Sequence, residues 1–355
     1  MSEQPGLLER SRQEFERALQ RNIKGLGYFA SPAPVVGASA KDVLIERGTL
    51  RLYHYRPLVD EIYRVPVLLV MATTNRGYIF DLTPGQSLVE YLLKRGYDVF
   101  MIDWEAPRPD EKTLDLASYV LDFIPTCVER VKQATGEPDV SVLGYCFGGV
   151  LSLLWAALHP DAGLRNLATF TTPVDFSQMP LFASWSDKRY FDVDRLVDTL
   201  GNCPSEMLYS SFDSLRPAGR IAGNLRLVDR MWDDEFVKAH RMIDRWGTDI
   251  LPLAGAYFRD TIKKLMWDNA LMEGTMDVAG RPVDLANITV PFLHVTAEHD
   301  HIVPTAASAP LIDMIGSVDK EQVTLKGGHV SLVGGPNAVR RMWPKLDDWL
   351  AEKSL

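Results

Sequence analysis

The sequence predicts an α/β protein: a mostly parallel sheet with helices on both faces and a helical insertion over one edge. Three observations predict it. Apolar runs at residues 67–72, 98–103, 140–145 and 167–171 alternate with stretches of helical periodicity, as doubly buried parallel strands and crossover helices do. A glycine-rich hexapeptide, Gly144-Tyr145-Cys146-Phe147-Gly148-Gly149, stands between the third run and a helix-like segment at 150–158. The alternation stops after Pro173 and resumes only at 290–296 and 322–325, with helical spacing between.

In chain order, residues 7–23 have the apolar spacing of an amphipathic helix that caps the domain or docks on a partner. Residues 43–46 and 50–55 read as a hairpin turning at Arg47-Gly48-Thr49. The strand 67–72 leads to a helix at 86–94, the strand 98–103 to a long helix at 114–134, and the strand 140–145 to the hexapeptide. After the strand 167–171, helices at 194–200, 225–232 and 236–246 belong to the insertion, and a helix at 337–350 closes the chain. The expected division is a core from 1–175 and 286–355 with a cap at 176–285; no Gly/Ser- or Pro-rich linker brackets the cap as it would an independent domain.

Composition narrows the function classes. The 355 residues are 46% apolar and 24% charged, with net charge −9, as in an ordinary globular chain. No Lys/Arg run offers a nucleic-acid groove or polybasic membrane patch, so no nucleic-acid partner is expected. No apolar stretch reaches membrane-spanning length and no signal-peptide core is evident, so no transmembrane anchor is expected. Cys127, Cys146 and Cys203 cannot all pair and lack metal-site spacing, which suits a reducing cytoplasm.

Strand, tight turn with a nucleophile at its tip, then helix is the nucleophile elbow of the α/β-hydrolase fold, here with cysteine in the serine position. Cys146 would start a helix whose positive end favours a thiolate, and the Phe147 backbone N–H would face a developing oxyanion. A second donor is expected from the loop after the strand 67–72, at the amide of Thr74 or Asn75. Asp300 follows one late strand and His329 another, completing the order nucleophile, acid, histidine. His329 would take the thiol proton while Asp300 fixes its tautomer. His299 and His301 flank the acid as rivals, but only His329 has a glycine-rich loop, Gly327-Gly328. Arg76 is an anion contact or a surface charge, and Arg216 in the cap a contact for a phosphate group or a surface ion-pair residue.

With these residues in place, the chain resembles the catalytic subunit of polyhydroxyalkanoate synthases. The resemblance rests on the G-x-C-x-G-G box at 144–149, Asn75-Arg76-Gly77-Tyr78 leading to Asp81-Leu82, and Ile102-Asp103-Trp104. It extends through Thr171-Thr172-Pro173-Val174-Asp175-Phe176, Asp300-His301-Ile302-Val303-Pro304 and Gly327-Gly328-His329. Three positions depart from the family's usual pattern: Glu105 stands where Gly is usual, Gly77 where the residue is often larger, and His299 precedes the acid. The length is similar to the short synthases that act with a separate second subunit. The resemblance implies Cys146, Asp300 and His329 as catalytic residues, with Asn75, Arg76 and Arg216 as candidate substrate contacts. It implies 3-hydroxyacyl-CoA and a growing polyester chain as ligands, with coenzyme A entering as part of the substrate and no separate cofactor. A helical second subunit, a homodimer and a cytoplasmic location at the surface of polyester granules are implied as well.

Cysteine suits such chemistry. A cysteine thioester is nearly isoenergetic with the CoA thioester it replaces, so it keeps the acyl group's transfer potential. A dienelactone-hydrolase-like or thioesterase-type enzyme shares the elbow and triad, but the long interval between Cys146 and Asp300 leaves room for a cap that a compact hydrolase does not need. A non-catalytic granule-associated protein would need none of the three residues.

Overall fold

The computed structural model describes residues 7–30, 35–215 and 217–354. Among the described residues ten strands form, in chain order: β1 Lys41–Arg47, β2 Leu50–Tyr55, β3 Val67–Val70, β4 Val99–Trp104, β5 Val140–Tyr145, β6 Leu164–Phe170, β7 Asp277–Val278, β8 Arg281–Pro282, β9 Phe292–Ala297 and β10 Lys320–Leu325. Eight of them make one sheet in the order β1-β2-β4-β3-β5-β6-β9-β10. β1, β2 and β4 pair antiparallel, and from β4 onward every pairing is parallel. The central strands are apolar on both faces because helices cover both: every residue of β3 and β5 is buried. The edge strands β1 and β10 instead carry Lys, Glu and Asp on exposed positions, which discourages further pairing.

The helices that matter for the site are α1 Leu7–Ala30, α2 Leu88–Lys94, α3 Ile124–Thr135, α4 Phe147–Leu158, α5 Pro180–Trp185, α6 Val193–Leu200, α7 Ser205–Ser214, α8 Pro217–Asp229, α9 Asp234–Thr248 and α10 Gly255–Asp260. α4 is apolar all round and nearly wholly buried, because it packs under the sheet's centre rather than on its surface. The cap helices α5 to α10 lie between β6 and β9 in the chain.

Three expectations need correcting. The single long helix at 114–134 is a π-helical turn, Ser118–Phe123, running into α3. The closing helix likewise begins as a π turn, Ala338–Met342, before the α-helix Trp343–Lys353. In both cases a proline, Pro125 or Pro344, sits just past the wide turn, where its missing N–H would have broken a regular ladder. The insertion is also not wholly helical: β7 and β8 form a small hairpin. Arg281 and Asn287 bond the carbonyls of Leu158 and Ala157 at the far end of α4. The chain has to return there, to the amino edge of the sheet, because β9 runs parallel to β6.

α1 is longer than its periodicity suggested and docks by its polar side. Lys24 pairs with Asp234 at 2.6 Å and donates to the Trp232 carbonyl, while Arg17 lies over the Trp232 ring. Phe15, Leu19 and Ile23, spaced four apart along the opposite side, are exposed. No helix among the described residues is long and apolar enough to cross a membrane.

Candidate active site

β5 ends in Tyr145, and Cys146 turns the chain with φ 53° and ψ −120° before α4 begins at Phe147. A non-glycine residue there is strained, and the surroundings hold it in place. A Cβ at Gly144 would sit 2.5 Å from the Gly149 Cα, one at Gly148 would run into the Val70 carbonyl oxygen, and one at Gly149 into the Thr172 hydroxyl. The bare backbone of the GxCxGG box is thus what lets α4 lie against β3 and the loop after β6. As the first residue of α4, Phe147 carries a backbone N–H with no partner inside the helix.

The acid and the histidine converge on the same edge. Asp300 Oδ1 accepts the N–H groups of Ile302 and Val303, each at 2.9 Å, which locks the carboxylate. Its Oδ2 accepts from His329 Nδ1 at 2.7 Å. Both side chains are buried, whereas His299 and His301 beside the acid are exposed. The Tyr145 ring packs 5.1 Å from the His329 ring, a contact the sequence had not singled out.

Two buried histidines show what the carboxylate does. His294, enclosed in the sheet with the Thr169 hydroxyl against Nδ1, is pushed by burial down to about 4 in spite of the hydrogen bonds it makes with Thr169 and Ser308. Burial pushes His329 the same way, yet its pKa is raised to about 10 by the Asp300 carboxylate and, next, by Cys146, through charge and hydrogen bonding. The arrangement therefore favours a proton resident on His329, opposite a cysteine able to carry negative charge. Burial, the largest cause, raises the Cys127 thiol far above its ordinary value, and burial alone raises that of Cys203 to about 12. Those two are packing residues.

The thiol opens into an apolar cavity of about 140 Å³ walled by Phe147, Phe176, Phe182, Phe212, Tyr257 and Met266 among others. Thr73 and Thr74 are among its polar lining residues, and the hydroxyls of Thr73 and Tyr257 meet at 3.1 Å. The remainder of that loop faces away. Asn75 is buried with its amide donating to the Trp246 carbonyl, and Arg76 pairs with Glu105 at 2.5 Å and donates to the Trp104 carbonyl. Nearby carboxylates and the root of the cap hold these two side chains, and neither lines the cavity. Arg216 lies outside the described residues.

The loop is bound to the cap from several directions. Leu251 N–H donates to the Thr74 carbonyl at 2.8 Å, the Trp246 indole to the Arg76 carbonyl at 2.8 Å, and the Tyr78 hydroxyl to Asp249 at 3.1 Å. Gly77 is needed where it stands: its N–H bonds Asp103 at 2.7 Å, and a Cβ would come within 2.9 Å of that carboxyl carbon and of Met101. Burial raises Asp103 to about 6 in spite of the Trp104 and Gly77 amides that support its charge. None of these ties between loop and cap root was visible in the sequence, since they join segments far apart in the chain.

Residues 66–336 match the family model of the alpha/beta hydrolase fold, and residues 34–92 match that of the poly-beta-hydroxybutyrate polymerase (PhaC) N-terminus. Among solved structures, a metagenome-derived lipolytic enzyme is similar at TM-score 0.52 and 13% identity, covering 90% of this chain and 99% of that one. A monoacylglycerol lipase from Paleococcus ferrophilus is similar at TM-score 0.50 and 16% identity, covering 85% and 99%. These likenesses speak for the fold alone. Among curated relatives, the poly(3-hydroxyalkanoate) polymerase subunit PhaC of Allochromatium vinosum is 35% identical over 98% of each chain. That of Thiocystis violacea is 33% identical over 90% of each, and that of Haloferax mediterranei 33% identical over 90% of this chain and 65% of its own length. With an α/β-hydrolase core, a cysteine at the elbow and relatives of this kind along nearly its whole length, the chain belongs to the poly(3-hydroxyalkanoate) polymerase PhaC family.

Proposed function

We propose that this chain is the catalytic subunit of a polyester synthase that polymerises 3-hydroxyacyl-CoA and releases coenzyme A, through a thioester on Cys146. The observation that carries the reading is His329, buried and bonded to Asp300, whose proton affinity is raised by both Asp300 and Cys146. The Cys146 thiolate attacks the acyl-CoA carbonyl, the oxyanion is met by the Phe147 and Thr74 amides, and the CoA thiolate leaves with the proton held on His329 Nε2. The hydroxyl of the next monomer then attacks the acyl-cysteine, giving its proton to His329 as the cysteine sulfur leaves. Thiolate attack on the CoA thioester of the lengthened chain returns it to Cys146 and frees a second CoA. Asp300 is a poor candidate for the hydroxyl's base, because both its oxygens are already engaged. The aromatic wall of the cavity favours transfer over hydrolysis by keeping water from the acyl-enzyme.

A helical second subunit fits the exposed stripe Phe15, Leu19 and Ile23 on α1, and a location at the polyester surface follows from the insolubility of the product. The test is incubation of the purified chain, alone and with a candidate second subunit, with 3-hydroxybutyryl-CoA. Thiol release with growing turbidity is expected. Thiol release with free 3-hydroxy acid and no polymer would make the chain a hydrolase.

A further inference from the structure

Several of the hydroxyl groups that line the catalytic cavity give their proton to a nearby carbonyl. Thr261 Oγ1 donates to the Tyr257 carbonyl at 2.9 Å, Ser186 Oγ to the Phe182 carbonyl at 2.8 Å, and Thr74 Oγ1 to Asn75 Oδ1 at 3.1 Å. Ser211, on α7, is partly exposed, where water can serve it. Thr73 and Tyr257 differ from all of these. They are 4% and 1% exposed, and their hydroxyls meet each other at 3.1 Å.

A threonine and a tyrosine hydroxyl carry one proton each, and a bond between them uses one of the two. The other proton has no acceptor among the described residues. Burial raises the Tyr257 phenol far above its ordinary value in spite of the Thr73 bond, so the pair stays uncharged and keeps both protons. A buried O–H without an acceptor is unfavourable, and an acceptor brought by a ligand would offset that cost.

The surroundings indicate which ligand atom that is. Thr73 directly precedes Thr74, whose amide is one donor for the oxyanion, and the Tyr257 ring packs edge-on against Phe147, whose amide is the other, at 6.1 Å between centroids. Consecutive Cα atoms lie about 3.8 Å apart, so the pair stands within an acyl unit's length of the reacting carbonyl. In a 3-hydroxyacyl unit the polar atom at that reach is the oxygen on C3. It is a hydroxyl in a fresh unit and an ester oxygen in a grown chain, and in both it accepts a hydrogen bond. Tyr257 is also held still: its N–H donates to the Leu114 carbonyl at 2.8 Å, its carbonyl accepts from Thr261, and its ring packs 4.3 Å from that of Tyr119.

We propose that the Thr73–Tyr257 hydroxyl pair is a specificity element, whose spare O–H donates to the C3 oxygen of the acyl unit at Cys146 and so selects 3-hydroxyacyl over unsubstituted acyl thioesters. This rests on the synthase reading. The pair binds and orients, and no proton leaves it. An unsubstituted acyl group on Cys146 could begin a chain but never extend one, so selection at loading keeps the sulfur for monomers.

The experiment compares single-turnover CoA release from 3-hydroxybutyryl-CoA and butyryl-CoA, which differ by that one oxygen. It uses the full-length parent, Tyr257→Phe, Thr73→Val and Thr73→Ser, with the candidate second subunit present and folding checked by thermal unfolding. The parent should prefer the hydroxy substrate. In Tyr257→Phe and Thr73→Val that preference should fall at least about tenfold, through the rate on the hydroxy substrate, while Thr73→Ser, which keeps a hydroxyl, should retain it within about threefold. An unchanged preference in either folded variant lacking a hydroxyl would overturn the proposal. Equal losses on both substrates would overturn it too, by reducing the pair to a structural tie between the oxyanion loop and α10, as would a parent that loads both thioesters equally. If the parent releases CoA from neither, it is the synthase reading that fails.

Discussion

Replacing Asp300 with Asn tests the site most directly, because the structure dictates which way the new amide turns. The Oδ1 position faces two N–H groups, from Ile302 and Val303. Only the amide oxygen can sit there, since an NH2 group would meet two donors. The NH2 is thereby aimed at His329 Nδ1, which must become the acceptor, and the ring proton moves to Nε2, on the side of the sulfur. The ring can then take no proton from the thiol. Loss of the carboxylate's charge also removes what holds His329 near 10 when burial alone, as at His294, drives a histidine to about 4. The two effects act together, and a fall in acylation rate of about 10³–10⁴-fold is expected, as for a triad forced into the wrong tautomer. The assay is single-turnover CoA release by rapid quench, with the pH profile of iodoacetamide alkylation at Cys146 as a second readout. Cys127 and Cys203 do not interfere, because both are buried with raised pKa values. The reasoning is refuted if the variant folds, keeps more than a tenth of the parental acylation rate, and alkylates with the parental pH profile.

The parent enzyme should lose acylation on the alkaline side near pH 10, where His329 gives up its proton; the pair's contribution to stability, complete below the ordinary histidine value of 6.5, should fade over the same interval up to about 10. Denaturant melts and single turnovers between pH 6 and 10.5 check both. Cys146→Ser should keep the fold and lose at least a hundredfold in CoA release, because a serine hydroxyl lacks the thiol's acidity; equal rates would remove the thiolate from the mechanism. Gly148→Ala drives a methyl into the Val70 and Met71 backbone and should cost about 2–4 kcal/mol in urea unfolding, whereas Gly136→Ala, just past α3 with open space around it, should show no steric penalty beyond that of its positive φ. A double-mutant cycle of Arg76→Met and Glu105→Gln should give a coupling of about 1 kcal/mol in stability, with a slower kcat in both singles because the oxyanion loop loosens; zero coupling would reduce the pair to a surface contact.

The core was legible because its strands are buried on both faces. β3, β4, β5 and β6 read as mainly apolar runs, and each triad residue follows a strand, so order and context identified the candidates. What was not legible depends on contacts across the chain. Nothing local in Thr73-Thr74-Asn75-Arg76 says that two of these side chains turn to the cavity while the others turn to Trp246 and Glu105. The π turns were hidden because a single wide turn of five or six residues is too short to show a period of its own, and the β7–β8 hairpin because two-residue strands leave no periodicity to read. The roles of Glu105 and Gly77 are likewise visible only in their neighbours: Glu105 pairs with Arg76, and Gly77 admits the Asp103 carboxylate.

The bonds between the oxyanion loop and the chain from Trp246 to Leu251 also bear on how the site can open. That stretch forms the heel of the cap, and Asn75 bridges to Ile250 while Cys203 bridges to Leu253 beside it. Lifting the heel would drag the Thr74 amide out of register with the reacting carbonyl, so any breathing that preserves chemistry must be confined to the opposite border, among α5, α7 and α8. The cap of this protein is built like a shoe nailed at the back, free to flex at the toe.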